Sequence, residues 1–262
     1  MIPLVDLHCH LLAGLDDGPV SLDEAVLMCR IAYQDGTRSI AATAHMGPAW
    51  PRVTPARITE KTRELTARLN ELRIPLSVYP SAELAVADDL EAAWTRGDLL
   101  GVGGRTEYCL LEIPYEGFVD LRPLVDRLRV RGVRAIVAHP ERYEELLFEP
   151  GAVEELIARG ALVQVTAAAI SSPPDSETAA AIRRWVESGM VHLVGSDGHT
   201  PGRRPPRMAA AYRQLAAWVG GERADRMCGL HGLAVLEGRP LRLAPPRRHR
   251  RRWFSFLSRS IS

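Results

Sequence analysis

The sequence predicts an α/β protein in which parallel strands alternate with helices. Three observations carry this expectation. Short runs rich in β-branched residues recur along the chain, each separated from the next by an amphipathic stretch of helical period. A glycine stands between helix and strand at Gly36, Gly132, Gly160 and Gly189, where a helix would stop. A repeated helix–glycine–strand unit calls for helical crossovers, the connection that parallel strands use. The seven strand candidates suggest a barrel or near-barrel of (β/α) type. A doubly wound open sheet made from the same units is the structural alternative.

Taken in order, the strands are expected at residues 3–7, 39–43, 76–80, 108–113, 133–138, 162–166 and 192–195. Helices are expected between them at 22–34, 55–72, 88–95, 121–131, 152–159 and 177–187, with a further helix at 207–219. Ser21 opens the first helix, and Glu24 at the third helical position completes the pattern of a capping box. The chain is expected to divide into one barrel domain, residues 1–243, and an arginine-rich tail, residues 244–262.

With 262 residues, 46% hydrophobic and 25% charged, the chain is long enough to bury a full core without disulfide or metal staples. A net charge of +1 gives no reason to expect nucleic acid as a partner. Nearly all the positive charge is arginine, Lys61 being the single lysine, which reads first as genomic base composition. Cys9, Cys29, Cys109 and Cys228 form no CxxC pair and read as free thiols in a reducing compartment. The N-terminus has no basic, apolar leader, and no window reaches membrane-spanning length. A cytoplasmic protein is expected. In the tail, Arg247, Arg248, Arg250, Arg251, Arg252 and Arg259 are interleaved with Trp253, Phe254, Phe256 and Leu257. That mixture suits peripheral contact with an anionic membrane surface at the inner membrane face, or an acidic partner. A solvated tail is the plainer reading of the same residues.

The residues that carry chemistry fall at one kind of place. Asp6, His8 and His10 end the first strand, His45 follows the second and Glu83 the third. Glu112 ends the fourth strand, His139 follows the fifth, and Asp197 and His199 follow the seventh. In a parallel barrel the C-terminal strand ends converge on one face, where active sites are built. Any one of these residues alone reads as a structural histidine or a surface acid. The set reads differently, because burying so many like groups together is costly unless cations compensate them. In His8-Cys9-His10 the two imidazoles, two residues apart, face one side, and Cys9 faces the other. Mixed imidazole and carboxylate donors suit Mn, Fe or Zn. Two or three such ions would activate water and clamp a phosphoryl group.

The segments Asp6-Leu7-His8-Cys9-His10, Asp16-Asp17-Gly18-Pro19, Thr43-Ala44-His45, Ser81-Ala82-Glu83, Leu111-Glu112, Ala138-His139-Pro140-Glu141-Arg142-Tyr143, Ser196-Asp197-Gly198-His199 and Arg204-Pro205-Pro206 resemble, in this order, the PHP (polymerase and histidinol phosphatase) superfamily. The branch they resemble is that of the bacterial manganese-dependent protein-tyrosine phosphatases linked to capsule and exopolysaccharide assembly. The resemblance implies a distorted seven-stranded (β/α) barrel. It implies metal ligands at His8, His10, Asp17, His45, Glu83, Glu112, His139, Asp197 and His199, and phosphate contacts from Arg142 and Arg204. It further implies hydrolysis of phosphotyrosine on protein by metal-activated water, with a tyrosine autokinase of polysaccharide synthesis as the substrate. Glu83 and Glu112 are the expected bridges, a carboxylate having two oxygens to share. The sequence departs from the branch in the loop Met46-Gly47-Pro48-Ala49-Trp50, where relatives tend to be polar or basic, and at Ser81, where many carry glycine.

A cysteine phosphatase needs an arginine six residues after its nucleophile, and here those positions hold Leu15, Asp35, Tyr115 and Ala234. The alternative on the same fold is a small-molecule phosphomonoesterase of the histidinol-phosphate or nucleotide type. A degenerate, non-catalytic barrel would be marked by lost ligands.

Overall fold

The computed structural model describes residues 2–243 except 115, 116 and 118; for Pro150 only the backbone is described. The tail beyond Leu243, with the membrane contact expected of it, lies outside the described residues.

Seven parallel strands follow one another in sequence order around a single sheet. They are β1 (Leu4–His10), β2 (Thr37–Met46), β3 (Ser77–Ala85), β4 (Tyr108–Glu112), β5 (Arg134–Ala138), β6 (Leu162–Thr166) and β7 (Leu193–Gly195). The sheet comes close to shutting on itself. Asp197 N–H donates to His8 O at 2.7 Å, His10 N–H donates to Gly198 O at 2.8 Å, and Cys9 pairs with Gly198 across the seam. The open-sheet alternative is thereby set aside in favour of a nearly closed barrel.

The crossovers are α1 (Leu22–Gln34), α2 (Pro55–Glu71), α3 (Leu90–Arg96), α4 (Arg122–Val130), α5 (Glu144–Leu147), α6 (Pro150–Ala158), α7 (Ala167–Ser171) and α8 (Ser176–Ser188), with α9 (Ala209–Val219), α10 (Gly221–Asp225) and α11 (His231–Leu236) after the last strand. A π-helical turn, Arg226–Leu230, joins the last two. Ser21 Oγ accepts from Glu24 N–H at 3.2 Å, but Glu24 turns back to Val20 N–H at 3.0 Å, so the capping box closes one residue earlier than its usual form. Helix α9 has no cap of its own. Asp35, at the end of α1, accepts from Met208 N–H at 2.6 Å and Ala209 N–H at 2.7 Å and supplies the missing acceptor.

Three strands end later than their hydrophobic pattern does. β1 reaches His10, β2 reaches Met46 and β3 reaches Ala85, so His8 and His10 do end β1, while His45 and Glu83 lie within strands rather than after them. The reason is visible in the inward rows. On β4 and β6 the inner cluster takes Leu110 and Leu162, and two residues further along the same rows stand Glu112 and Gln164. The lower barrel is thus filled by Leu110, Ile136, Leu162 and Leu193, and the α11 residues Val235 and Leu236 pack against the same cluster. The upper barrel carries polar groups in the same rows. Outward-facing Cys109, Leu111, Ala135, Val137, Val163 and Val165 belong to the large core beneath the helices. Burial on both faces is what a parallel sheet under helices requires.

Candidate metal centre

The upper barrel brings together the nine residues that the resemblance implies as ligands; of the strand-end series only Asp6 falls outside the cluster, and Asp17 joins it. Their donor atoms fall into four overlapping groups, each within 4.8 Å: His10, Asp17, His45 and His199; His8, His10 and Asp197; His8, Glu83 and His139; and His45, Glu83 and Glu112. Glu83 is the hub. One oxygen lies 2.8 Å from His139 Nε2, and the other lies 3.1 Å from His8 Nε2, 3.3 Å from His10 Nε2 and 3.3 Å from His45 Nδ1. That second oxygen is buried and has no aligned hydrogen-bond donor, although three imidazole nitrogens surround it. Glu112 lies between His45, at 3.2 Å, and His139, at 3.8 Å.

Each first histidine is held by a partner on its far nitrogen. Gln164 Oε1 lies 3.1 Å from His8 Nδ1, and Asp16 Oδ2 lies 2.7 Å from His10 Nδ1. Both contacts place the proton on Nδ1 and turn the Nε2 lone pair into the cluster, the arrangement that metal-binding imidazoles use. The two Nε2 atoms are 3.2 Å apart. Asp16 also accepts from His45 N–H at 3.0 Å and Gly18 N–H at 3.1 Å, so one carboxylate fixes three pieces of the site. A Cβ on Gly18 would lie 2.9 Å from His10 O, which explains glycine in the Asp16–Pro19 segment. A Cβ on Gly195 would lie 2.6 Å from both His8 Cβ and Gln164 Nε2, so the end of β7 must be bare for that pair to fit.

The chain bends sharply where two donors leave their strands. His139 and Asp197 have φ of 31° and 52°, left-handed values that side chains other than glycine adopt at a cost. Asp197 faces two ways. Its Oδ1 lies 3.5 Å from His8 and 3.7 Å from His10, and its Oδ2 accepts from both Arg142 and Arg204. The two guanidinium groups thus meet on one oxygen at the edge of the cluster. Arg142 ends the short 3-10 turn Pro140–Arg142, and Arg204 sits in the loop whose main chain accepts from His199 N–H.

The electrostatics favour cations. Burial works against charge on His8 and His10, yet Glu83 with Asp197 raises the first, and Asp16 with Glu83 raises the second well above its usual value. Burial would raise the Glu83 carboxyl, but His8, His10 and His139 together hold it well below the usual range. The half-exposed Asp17 is likewise opposed by burial and held at about 2 by His199, His10 and His45. A set of groups that draws protons onto its imidazoles this strongly is one in which divalent ions can take the protons' place. Oxygen and imidazole donors around a shared, unpartnered carboxylate oxygen therefore fit a multinuclear metal site.

Three contributors were not singled out by sequence reasoning. Gln164 and Asp16 act through histidines, and only the inner-row parity of β6 could have pointed to the first. Glu141, two residues after His139, is buried, accepting from Thr166 N–H at 2.7 Å and Thr166 Oγ1 at 2.8 Å. Asp6, which headed the strand-end series, is buried behind the ligands. It accepts from Ser196 N–H at 2.8 Å and His8 N–H at 3.2 Å, and burial raises its carboxyl to about 6. Ser81, the departure on β3, accepts from Gly103 N–H at 3.0 Å and ties a 3-10 turn to the strand. The cysteines are free and buried, with Cys29, Cys109 and Cys228 pushed by burial to about 12, which suits packing and not nucleophilic attack.

A seven-stranded (β/α) barrel with shared carboxylates among imidazoles at its C-terminal strand ends defines the metal-site barrels as a class. Within that class the chain belongs to the CpsB/CapC family of capsular polysaccharide synthesis, whose model matches residues 4–237. It is 31% identical over 197 residues to the tyrosine-protein phosphatase YwqE of Bacillus subtilis, covering 75% of this chain and 77% of that one. It is 26% identical over 231 residues to the tyrosine-protein phosphatase CpsB of Streptococcus agalactiae, covering 86% and 94%. Among solved structures it superposes with a TM-score of 0.87 and 28% identity, over 95% of this chain and all of the other, on a structure described with YwqE of Bacillus subtilis and CpsB of Streptococcus pneumoniae as unique metal-dependent tyrosine phosphatases. A β-aspartyl dipeptidase of Fervidobacterium islandicum, at 14% identity and a TM-score of 0.57, shares the fold alone.

Proposed function

We propose that this chain is a metal-dependent protein-tyrosine phosphatase whose ions are held by His8, His10, Asp17, His45, Glu83, Glu112, His139, Asp197 and His199. The observation that carries the reading is Glu83, a buried carboxylate with one oxygen among three imidazoles and the other against a fourth. Two or three ions, manganese first, fit this donor set, with iron or zinc as the other choices. When bound, they activate water and neutralise phosphoryl oxygens.

The chain's own residues do the rest. Asp16 and Gln164 orient His10 and His8 so that the donor lone pairs converge. Asp197 anchors Arg142 and Arg204 side by side at the cluster edge, where two forked donors can take the phosphoryl oxygens and stabilise charge as it redistributes in the transition state. No described cysteine is placed for a phosphoenzyme, and the fully buried thiols at Cys9 and Cys109 are closed to substrate. The physiological substrate in this reading is a tyrosine kinase of capsule or exopolysaccharide synthesis in the cytoplasm. This assignment rests on the family and on the named activities of its members.

The test is metal analysis of protein purified without chelator, joined to steady-state kinetics on a phosphotyrosine peptide and on histidinol phosphate. Peptide turnover that scales with metal content, well above turnover of histidinol phosphate, is expected. The reverse preference would move the chain to small-molecule phosphatases.

A further inference from the structure

Beside the metal cluster, where β2 and β3 end, the barrel rim carries an apolar groove of about 260 Å³, whereas the two arginines follow β5 and β7. The groove is lined by Met46 and Trp50, just after His45, by Leu84, just after Glu83, and by Leu90 and Leu99. The groove is therefore built on the strand ends that deliver two of the central donors. The Trp50 indole stacks against the His45 imidazole, nearly parallel at 9° with centroids 5.6 Å apart, and the centroid of the His45 ring in turn is 4.5 Å from that of His10.

The groove is preformed. Trp50 N–H donates to Gly47 O, and Val53 N–H donates to Trp50 O, each at 2.9 Å, so two successive turns set the indole. A Cβ on Gly47 would lie 2.8 Å from Ala85 Cβ, so the loop is seated directly on the end of β3. The rim is acidic. Asp98 pairs with Arg96 at 2.6 Å, while Asp89 has no ion pair among the described residues and makes no side-chain bond at the start of α3.

We infer that this groove is a specificity site for the phosphotyrosine-bearing peptide: it takes a large apolar side chain next to the phosphotyrosine, with a basic residue meeting Asp89. The inference rests on the phosphatase reading above and names which peptides that site prefers. Continuity argues for it. A phosphoryl group held by Arg142 and Arg204 leaves the peptide to run past the partly exposed His45, and the ring stacked on His45 is Trp50, which lines the groove. The opposite charge on the two flanks sets the direction, with cations at the phosphoryl end and a carboxylate at the far end. A shallow, largely preformed apolar cleft with one placed charge is the usual form of such a side-chain site.

The experiment uses the full chain, metal-loaded, with two phosphotyrosine peptides and p-nitrophenyl phosphate. One peptide has leucine and lysine beside the phosphotyrosine, and the other has glycine and aspartate. The first should be cleaved with a kcat/KM about tenfold higher. Ala87→Phe, which fills the groove, and Asp89→Lys, which reverses the rim charge, should each bring the two peptides together, read relative to p-nitrophenyl phosphate in the same variant. Equal cleavage of both peptides by the unmodified protein, or an undiminished preference in both variants, would overturn the groove and leave the phosphatase reading standing. Turnover of p-nitrophenyl phosphate with neither peptide cleaved would remove the protein-tyrosine phosphatase reading, and the groove with it. A concentration-dependent dimer that Ala87→Phe splits would assign the groove to a second copy of the chain and equally overturn the inference.

Discussion

Asp16 Oδ2 lies 2.7 Å from His10 Nδ1, and that contact decides which nitrogen of His10 faces the cluster. The same carboxylate holds the main chain at His45 and Gly18. Burial would raise its pKa, but His10 overcomes this and holds Asp16 below the usual value, so the acceptor stays charged. Removal of such a partner typically weakens metal binding by about 10–100-fold. Asp16→Ala should do so by titration calorimetry, with Asp16→Asn closer to the parent because the amide oxygen still accepts. Unchanged affinity in Asp16→Ala would mean that His10 is oriented by its ring packing alone.

Glu83→Gln should be more severe. The amide cannot offer a charged oxygen to His139 on one side and to His8, His10 and His45 on the other. Metal content and phosphatase activity should both fall close to background while circular dichroism shows the barrel intact. Glu112→Ala should also abolish activity, since Glu112 lies between His45 and His139. Full metal loading in Glu83→Gln would show that the ions are held elsewhere.

Arg142→Ala and Arg204→Ala should each lower kcat/KM by about a hundredfold, the scale of losing one preorganised donor. Metal content should not change. Lysine at either position should recover only part of the loss, because it lacks the bidentate fork. Because both arginines share Asp197 Oδ2, the double alanine variant should lose less than the product of the two single effects. Near-normal turnover in both single variants would leave the arginines as rim salt bridges.

His192 lies at the opposite end of the barrel, where its Nδ1 accepts from Val163 N–H at 3.0 Å. Burial first, then Arg134 and His231 nearby, lower its pKa from 6.5 to about 3. The folded state therefore excludes a proton that the unfolded chain binds. Full stability is present above pH 6.5 and is lost progressively as the pH falls towards 3. By linkage the loss at pH 5 is about 2 kcal/mol. Denaturant unfolding of chelator-treated protein should show the parent losing this much more than His192→Asn between pH 7.5 and pH 5. Identical losses would assign the acid sensitivity to other groups.

How much of this was legible in the chain differs from element to element. The period of helix and strand was legible because each helix hides one face and each strand both, which leaves a direct mark on residue order. Gly36, Gly132, Gly160 and Gly189 do stand at positive φ where the helices stop. The strand ends were set too early at β1, β2 and β3, because polar ligands inside the barrel break the hydrophobic pattern while the backbone pairing continues. Helices α5 and α7 went unseen, since four or five residues are too few to show a period, and the run from α10 to α11 went unseen because the π-helical turn within it shifts the helical period.

The sequence by itself determined that donors recur at the C-terminal ends of parallel strands, and that His8 and His10 share a side. Both follow from local geometry, the alternation of a strand and the direction of a crossover. Only the tertiary structure decided that Glu83 is the hub, that Gln164 and Asp16 select the nitrogens of His8 and His10, and that Arg142 and Arg204 meet on one oxygen of Asp197. Those relations join residues as many as 156 positions apart. They exist because closing the sheet brings the inner rows of all seven strands to one face, and no local pattern records which side chains then fall within reach.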